Sequence, residues 1–456
     1  MAKITPFLFS WQEIEVKSDM TRLKMVLEHL PDEALMKKLE ARRGKGRNDY
    51  PVRCMWNAML AGIVFQHDSI EKLRRELSRN AELRQICGFD PFRGSKAVPP
   101  PEAFTHFFRS LAEHFEEVDR IFTHLLEQAG ELLRDLGYRM GIDSKGIRSG
   151  GRPTKKEKRD GRRDLDADWG VKEYKGNRLD GSEWKTIKKW FGYKVHLLVD
   201  TTHEIPLEYE VTRASASDVK QLRPTLKKLE QRSPEIFKRA RILSADKAYD
   251  DGSELAWLYD EKGIKPVIDI RNTWREAGNE SLRIPGQPVT RQLYPYDADN
   301  IVYDIRGNVY CYCFKTHKHQ SMAFGGYDKE RESLKYICPV KAYGMSCHCQ
   351  TECPHRKGSI RIPLSVNRRI FTPIARSSYK WEREYRYRTG VERVNSRLDV
   401  SFGFENHTIR GLTKMKIRIS LAMIVMLSMA VGHIKEGRKQ SMRSLVRGPW
   451  PARQAA

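Results

Sequence analysis

Tyr193-Lys-Val-His-Leu-Leu-Val199, then Asp200-Thr-Thr-His-Glu204, then Leu207-Glu-Tyr-Glu-Val211, is the stretch whose periodicity decides the fold class. Tyr193, Val195, Leu197 and Val199 alternate with Lys194, His196 and Leu198, which is the two-residue period of a strand. A turn at Asp200 to Glu204 leads into Leu207, Tyr209 and Val211, so the spacing predicts a β-hairpin. Upstream, the short apolar approach to Asp143 in Met140-Gly-Ile-Asp-Ser-Lys-Gly-Ile147 reads as a strand ending on an acidic residue. Downstream, Asp218 to Gln231 is helical, Ile242 to Ala245 a short buried strand, Ser253 to Glu261 a helix and Lys265 to Ile270 another strand. Strand, hairpin, helix, strand, helix, strand is the order of an α/β domain with a mixed sheet.

Farther out the pattern changes. From Ser18 to about Arg120 apolar residues recur at three and four, as in Ile70, Leu73 and Leu77 behind a capping Ser69. Pro99, Pro100 and Pro101 break this region and start a helix carrying Phe104, Phe107, Phe108 and Leu111. Arg74, Arg75, Arg79 and Arg84 fit either a helix-turn-helix-like reader of DNA or ordinary basic surface helices. Lys145 to Arg163 is rich in Lys, Arg and Gly and is expected to be a mobile basic loop. From about Asn272 to Ile362 Gly, Pro, Tyr and Cys interrupt the rhythm, as in an inserted, mostly β or irregular subdomain. Helices return at Tyr379 to Val400 and Leu412 to Glu436. The expected division is therefore a helical DNA-binding domain at 1–120, a first core part at 121–271, the insertion at 272–362, a second core part at 363–436 and a basic tail at 437–456.

At 456 residues the chain exceeds what one growing core usually accommodates. Its 83 Lys+Arg against 59 Asp+Glu give a net charge of +24, which favours a polyanionic partner. With 39% hydrophobic and 10% aromatic residues, it is too apolar for a disordered basic tail. Met1 to Trp11 does not read as a secretion signal, and the apolar run Ile419 to Val431 is too short to span a bilayer. No membrane partner is expected. Eight cysteines without a signal suggest a reducing cytoplasm, with thiols free or on metal.

Three carboxylates stand out. Asp143 and Asp246, the latter in Ile242-Leu-Ser-Ala-Asp-Lys-Ala-Tyr-Asp250, both sit where a short apolar strand meets a loop, and sites form at such carboxyl ends. Each alone also suits a turn or helix cap. Glu392 lies on a helix where, at about 100° per residue, Tyr385, Arg388, Glu392, Asn395, Ser396 and Asp399 form one polar stripe. Val391, Val394 and Leu398 form a separate face for burial. Three carboxylates on separate elements suit two Mg²⁺ ions, hard cations that prefer oxygen and support in-line displacement at phosphorus. Arg388 offers a fork of donors to a phosphate.

These segments resemble the DDE transposases of bacterial insertion sequences, in the groups carrying a Tyr-x2-Arg-x3-Glu-x6-Lys signature. Tyr385, Arg388 and Glu392 match at that spacing, and Asp399 stands where the lysine is expected. Further matches are the Asp-Ser at Asp143, Gly192-Tyr-Lys-Val-His196 with Asp200, Ala214-Ser-Ala-Ser-Asp218 and Asp246-Lys-Ala-Tyr-Asp250. The region from Tyr50 to Phe107 also looks like the helical N-terminal domain of such enzymes. The resemblance implies a ribonuclease-H-like core, with Asp143, Asp246 and Glu392 as catalytic metal ligands for two Mg²⁺ or Mn²⁺ ions. It also implies double-stranded DNA partners, both inverted-repeat ends and target, a homodimer in the synaptic complex, and a place in the bacterial cytoplasm beside the nucleoid. Tyr385, Arg388, Lys145, Arg148, Lys155 and Lys156 are the expected DNA contacts. A non-catalytic regulator descended from a transposase and a nuclease that never joins DNA remain open.

Secondary signals lie elsewhere. Cys311, Cys313, Cys338, Cys347, Cys349, Cys353 and His355 cluster in the insertion, as free thiols or as ligands of a structural Zn²⁺. Cys54 and Cys87 fit apolar helical cores. His196, Asp200 and Asp218 are candidates to orient a ligand or water, although a strand histidine is usually satisfied by a neighbour. Trp190, Trp274 and Trp381 read first as core residues.

Overall fold

The computed structural model describes residues 19–45, 49–153, 163–177, 182–271, 293–296, 300–313, 315, 316, 318–349, 353, 355, 358–404 and 406–443. Lys155, Lys156 and Trp274 lie outside them.

The N-terminal part is helical, as its periodicity predicts: α1 (Asp19–Glu28), α2 (Glu33–Arg43), α3 (Val52–Val64), α4 (Ile70–Arg79), α5 (Ala81–Cys87), α6 (Pro101–Glu113) and α7 (Phe115–Leu132). Ser69 caps α4 by accepting the Lys72 N–H, and Pro101 opens α6, where its missing donor costs nothing. A single residue, Asn80, joins α4 to α5, which leaves no helix-turn-helix turn between them. Arg84 is buried and donates to the carbonyls of Leu77, Ser78 and Pro91, while Arg79 pairs with Glu76 and Arg74 with Glu71. Three of the four arginines expected on a DNA-facing surface are thus engaged within the fold.

The strands follow as β1 (Arg139–Arg148), β2 (Asp168–Asn177), β3 (Glu183–Asp200) and β4 (Ile205–Arg213). After α8 (Asp218–Arg232) and the short α9 (Pro234–Phe237) come β5 (Ile242–Ala245), α10 (Gly252–Ala256) and β6 (Lys265–Ile268). The predicted hairpin is β3–β4, joined by the turn at 201–204. β3 pairs antiparallel with both β1 and β4, and β1, β5 and β6 are mutually parallel, giving the order β4-β3-β1-β5-β6. This mixed sheet flanked by helices is the ribonuclease-H-like arrangement. β2 was not foreseen. It pairs with the first half of β3 beyond the reach of β1, so the two strands leave the sheet as a two-stranded arm. Lys145 to Arg148 belong to β1 and not to a loop, and 154–162 of the expected basic loop lie outside the described residues. Strand pairing to Gly192 through Val195 fixes these four residues in place.

The insertion is β-rich, as predicted. β7 (Leu293–Pro295), β8 (Ile301–Asp304), β9 (Val309–Cys313) and β10 (Lys318–Ser321) form one antiparallel sheet. β11 (Ala323–Asp328), β12 (Ser333–Ile337) and, after α11 (Pro339–Tyr343), β13 (Ser359–Pro363) form a second. The expected single helix from Tyr379 to Val400 is two helices, α12 (Tyr379–Arg386) and α13 (Thr389–Val400), that break at Tyr387 and Arg388.

α14 (Leu412–Lys435) is long and apolar enough to cross a membrane, yet 89% of its most apolar window is buried inside the protein. It packs on α1, α3, α7 and β4, joining the N-terminal helices and the sheet in one continuous apolar core.

Two close approaches set the sheet's surface. The Trp190 indole lies across β1 and β2 at Gly146 and Gly170, where any Cβ would collide with its ring. A Cβ on Gly141 would lie 2.5 Å from Val391 Cγ2 and 2.6 Å from Thr201 Cγ2, so α13 rests directly on β1. Gly141→Ala is expected to lower stability by about 1–3 kcal/mol through overpacking. Urea denaturation checks this, and the double variant with Val391→Ala should lose less than the two single losses combined.

Candidate active site

The parallel ladder of β1 and β5 ends with Ile142 beside Ala245, so the next residues, Asp143 and Asp246, stand side by side where the strands part. β1 itself continues to Arg148 along β3, so Asp143 is inside a strand, not at its end. Asp246 caps the turn that follows by accepting the Ala248 N–H at 2.7 Å. Asp143 Oδ1 accepts the Ser144 N–H at 2.8 Å, and Asn395 Nδ2 approaches its other oxygen to 3.5 Å.

Glu392 comes from the opposite wall. Val391, Val394 and Leu398 are fully buried, as the face analysis predicts, and turn Glu392, Asn395, Ser396 and Asp399 toward the cleft. Buried Glu204 at the end of the hairpin turn holds the outer side of α13: Arg393 Nε reaches its carboxylate at 2.7 Å and Arg397 Nη1 its carbonyl at 2.8 Å. The other helix is tied to β1 by Arg139 Nε on buried Glu384 at 2.8 Å.

The Tyr-x2-Arg-x3-Glu spacing has a direct structural reading. Tyr385 stacks on Trp381 with ring centroids 4.5 Å apart and 12° between planes. The Arg388 guanidinium lies 5.5 Å from the Tyr385 centroid and bonds Glu392 at 2.7 Å. A column of ring, ring, guanidinium and carboxylate therefore runs along the helix break. Trp381, with Ile242, Val267 and Ile374, belongs to a small apolar cluster and is core, as is Trp190.

Asp143, Asp246 and Glu392 line one cleft of about 910 Å³. Lys145, Arg148, Lys172, Lys188 and Lys194 share its walls. Lys145 is ion-paired with Asp399, so the acidic residue at the expected lysine position binds a lysine supplied by β1. Lys172 and Lys188 are directly opposed across the β2–β3 arm. Sequence reasoning missed them because both faces of a two-stranded arm meet water, leaving no apolar alternation to read. Trp169, Val171, Trp184 and Ile187 on this arm are exposed.

The flanking polar residues have local work. Asp200 accepts the N–H groups of Gly137, Thr202 and His203 and shapes the hairpin turn, away from the cleft. His196 Nε2 meets Thr212 Oγ1 at 3.0 Å, and burial lowers its pKa to about 4, so the ring is neutral. Asp218 bonds Lys194 at 2.9 Å and stands in the cleft wall.

Burial pushes the Asp143 carboxyl up to about 6; Lys172 pulls it down and the neighbouring Asp246 pushes it up again. A carboxyl whose pKa rises on folding destabilises the native state as pH climbs from the usual carboxylate range through about 6, and the cost is complete above that. Asp143→Asn is therefore expected to stabilise the metal-free protein by about 1–3 kcal/mol at pH 7.5. The gain should vanish below pH 4, as read from thermal melts across pH. An equal gain at both pH values would show that the charge is not its source.

Residues 140–428 match the family model of a transposase DDE domain, and residues 12–110 match that of a transposase domain, DUF772. None of the curated proteins compared matches the chain. Among solved structures, the chain is similar to the cryo-EM structure of the piggyBac transposase synaptic complex with hairpin DNA, at 12% identity over 96% of this chain and 80% of that one, with a TM-score of 0.38. That likeness is too distant to carry an argument. The DDE-domain match covers more than half of the sequence and includes the strands, the cleft and the helix of Glu392: the chain belongs to the DDE transposases.

Proposed function

We propose that Asp143, Asp246 and Glu392 are the catalytic carboxylates of this transposase, and that they hold two divalent ions, Mg²⁺ or Mn²⁺. With them the protein would cut the ends of its insertion sequence and join them to target DNA. The observation that carries this reading is the juxtaposition of Asp143 and Asp246 at the parting of two parallel strands, with Glu392 in the facing wall of the same cleft.

The donors fit the ions. All three are hard carboxylate oxygens, and the raised pKa of Asp143 reflects in part its repulsion by Asp246, which a dication relieves. Among the described residues, no three His, Cys, Asp or Glu side chains are gathered tightly enough, as they stand, to hold an ion. Glu392 is folded onto Arg388 and must release it to join the aspartates. Bound ions would activate the attacking oxygen and stabilise the leaving one. The chain's own cations do the rest: Lys172, Lys188 and Arg148 line the cleft where a DNA backbone enters, and Arg388, once free of Glu392, offers its donor fork to a phosphate. The other expected contacts stand differently. Lys145 is held by Asp399, and Tyr385 supports Arg388 from behind. Two copies acting together on paired ends complete the reading.

With Mg²⁺ or Mn²⁺ and a duplex carrying the element's terminal inverted repeats, the purified protein is expected to nick the ends and join them to a target. Asp143→Asn, Asp246→Asn and Glu392→Gln should each abolish both products while gel shifts on the same duplex persist. Persisting cleavage in any of them removes that residue from the proposed triad. Shifts without cleavage by the unaltered protein would identify a regulator, and cleavage without joining a nuclease.

Lys172→Ala with Lys188→Ala should weaken binding and lower the slope of log affinity against log salt by about two, since each phosphate contact contributes about 0.9. An unchanged slope would place the DNA elsewhere.

A further inference from the structure

Six of the eight cysteines fall in the insertion, and none of the eight is in a disulfide. The two small sheets there share a modest core, with Ile301, Tyr303 and Val309 from one and Leu334, Tyr336 and Ile362 from the other. The chain from Gly344 to Cys349 that follows α11 has little regular structure.

Four of the thiols meet at one place. Cys311 on β9, Cys338 between β12 and α11, and Cys347 and Cys353 beyond α11 line a single cavity of about 20 Å³, with His355 in its wall. That volume admits one small species and no more. Cys311 is within electrostatic range of Cys338, Cys347 and Cys353. The other wall residues are Gln320, Met322, Pro339 and Val340. Thiols are weak donors and weak acceptors, so hydrogen bonding gives four of them little reason to converge. They come from both sheets and from the irregular segment, which is the distribution of a crosslink. Cys313 and Cys349 form a separate pair, with sulfurs 2.9 Å apart.

We propose that Cys311, Cys338, Cys347 and Cys353 bind one Zn²⁺ as a four-thiolate structural centre that fastens the two sheets of the insertion together. Zinc takes four sulfurs tetrahedrally at about 2.3 Å and needs no open position when its role is structural. As they stand the four sulfurs ring the cavity without closing to bonding distance, so binding draws them inward. Asn300 Nδ2 already donates to Cys353 Sγ at 3.4 Å, the kind of N–H contact that supports a thiolate ligand. None of these cysteines lines the carboxylate cleft, so the centre stands or falls independently of the proposed catalytic triad.

The test is metal analysis of the full-length protein, purified under reducing conditions from zinc-supplemented cells and washed with a weak chelator. Close to one zinc per chain is expected, because ligand binding is coupled to folding of the subdomain. Cys338→Ser and Cys347→Ser should lose it and Cys54→Ser should keep it. Co²⁺ exchanged into the unaltered protein should give the intense thiolate-to-metal bands of a tetrahedral four-sulfur site. Stripping with a strong chelator should lower the melting temperature, and Zn²⁺ but not Mg²⁺ should restore it. The proposal is overturned if zinc-replete protein carries well under one zinc per chain, or if Cys338→Ser retains a full complement. Should the serine variants be insoluble, the Co²⁺ spectrum decides: absence of thiolate bands overturns the centre, and bands of a three-sulfur, one-nitrogen site replace one cysteine by His355.

Discussion

The position of Glu392 depends on a missing side chain. Gly141 leaves room for Val391 and Thr201 to meet β1 directly, and Gly390 lies against the Thr201 backbone, where a Cβ would come within 2.9 Å of its carbonyl oxygen. Helix and sheet therefore touch with almost nothing between them, two residues before Asp143 on one side and one residue before Glu392 on the other. The turn that supplies Thr201 also supplies Glu204, whose carboxylate receives Arg393 and whose carbonyl receives Arg397. Apolar contact on the inner side and charge-assisted bonds on the outer fix both the height and the rotation of α13. Because packed interfaces tolerate little added volume, the cleft's width is set at this contact more than by any residue lining it.

Composition overstates the positive charge available to a partner. Arg84, Arg376 and Arg418 are buried among backbone carbonyls; Arg376, for instance, donates to those of Ile268, Arg369 and Ile370. Such arginines satisfy carbonyls at helix ends and loops that would otherwise be costly to bury. Arg139, Arg393 and Arg397 brace the helices around the cleft. The cations in the cleft wall are mainly lysines on β1, β3 and the β2–β3 arm, elements whose positions are fixed by strand pairing; Lys145 and Lys194 among them are paired with Asp399 and Asp218. A basic chain thus becomes a locally basic cleft because many of its arginines act inside the fold.

What could be read from the sequence follows from which faces are buried. The β3–β4 hairpin, β5, β6 and the inner face of α13 were legible because each sets apolar residues against a core at a fixed period. Asp143 and Asp246 were legible as residues at the margins of apolar strands, although β1 runs on past Asp143 because β3 continues to pair with it. The β2–β3 arm was not legible, since a ladder solvated on both faces needs no alternation. Nor was the break at Tyr387 and Arg388: Trp381 and Tyr385 stack to one side of it, no proline marks it, and the nearby Gly390 falls inside the second helix. The arginines of α4 and α5 left two readings open because basic side chains at helical spacing look alike whether they face a groove or, like Arg84, their own backbone. The cysteines were visible as a cluster, but only the pairing of β9 with its neighbours and the turn after β12 separate the four that face one cavity from the two that do not.

The electrostatics of the cleft tie these elements together. In the absence of a dication, the negative charge of the site is handled in two ways: it is costly at Asp143, whose pKa burial and Asp246 raise to about 6, and it is neutralised at Glu392 by Arg388. The guanidinium is held for this by Tyr385, itself stacked on Trp381, so the arrangement rests on the small apolar cluster behind β5 and β6. On the proposed reading, an arriving dication relieves the cost of the charge on Asp143 and takes Glu392 from Arg388. The guanidinium is then left half-buried without its anion, a state that is costly unless another anion replaces the carboxylate. A DNA phosphate is such an anion. Cation and nucleic acid would therefore favour each other's binding by equal amounts, as linkage requires of two ligands that compete with the same internal ion pair. Arg388 at the break and Glu392 in the first turn of α13 are four residues apart, close enough to pair when the cleft is empty and to part by side-chain motion alone, which is what makes that exchange possible.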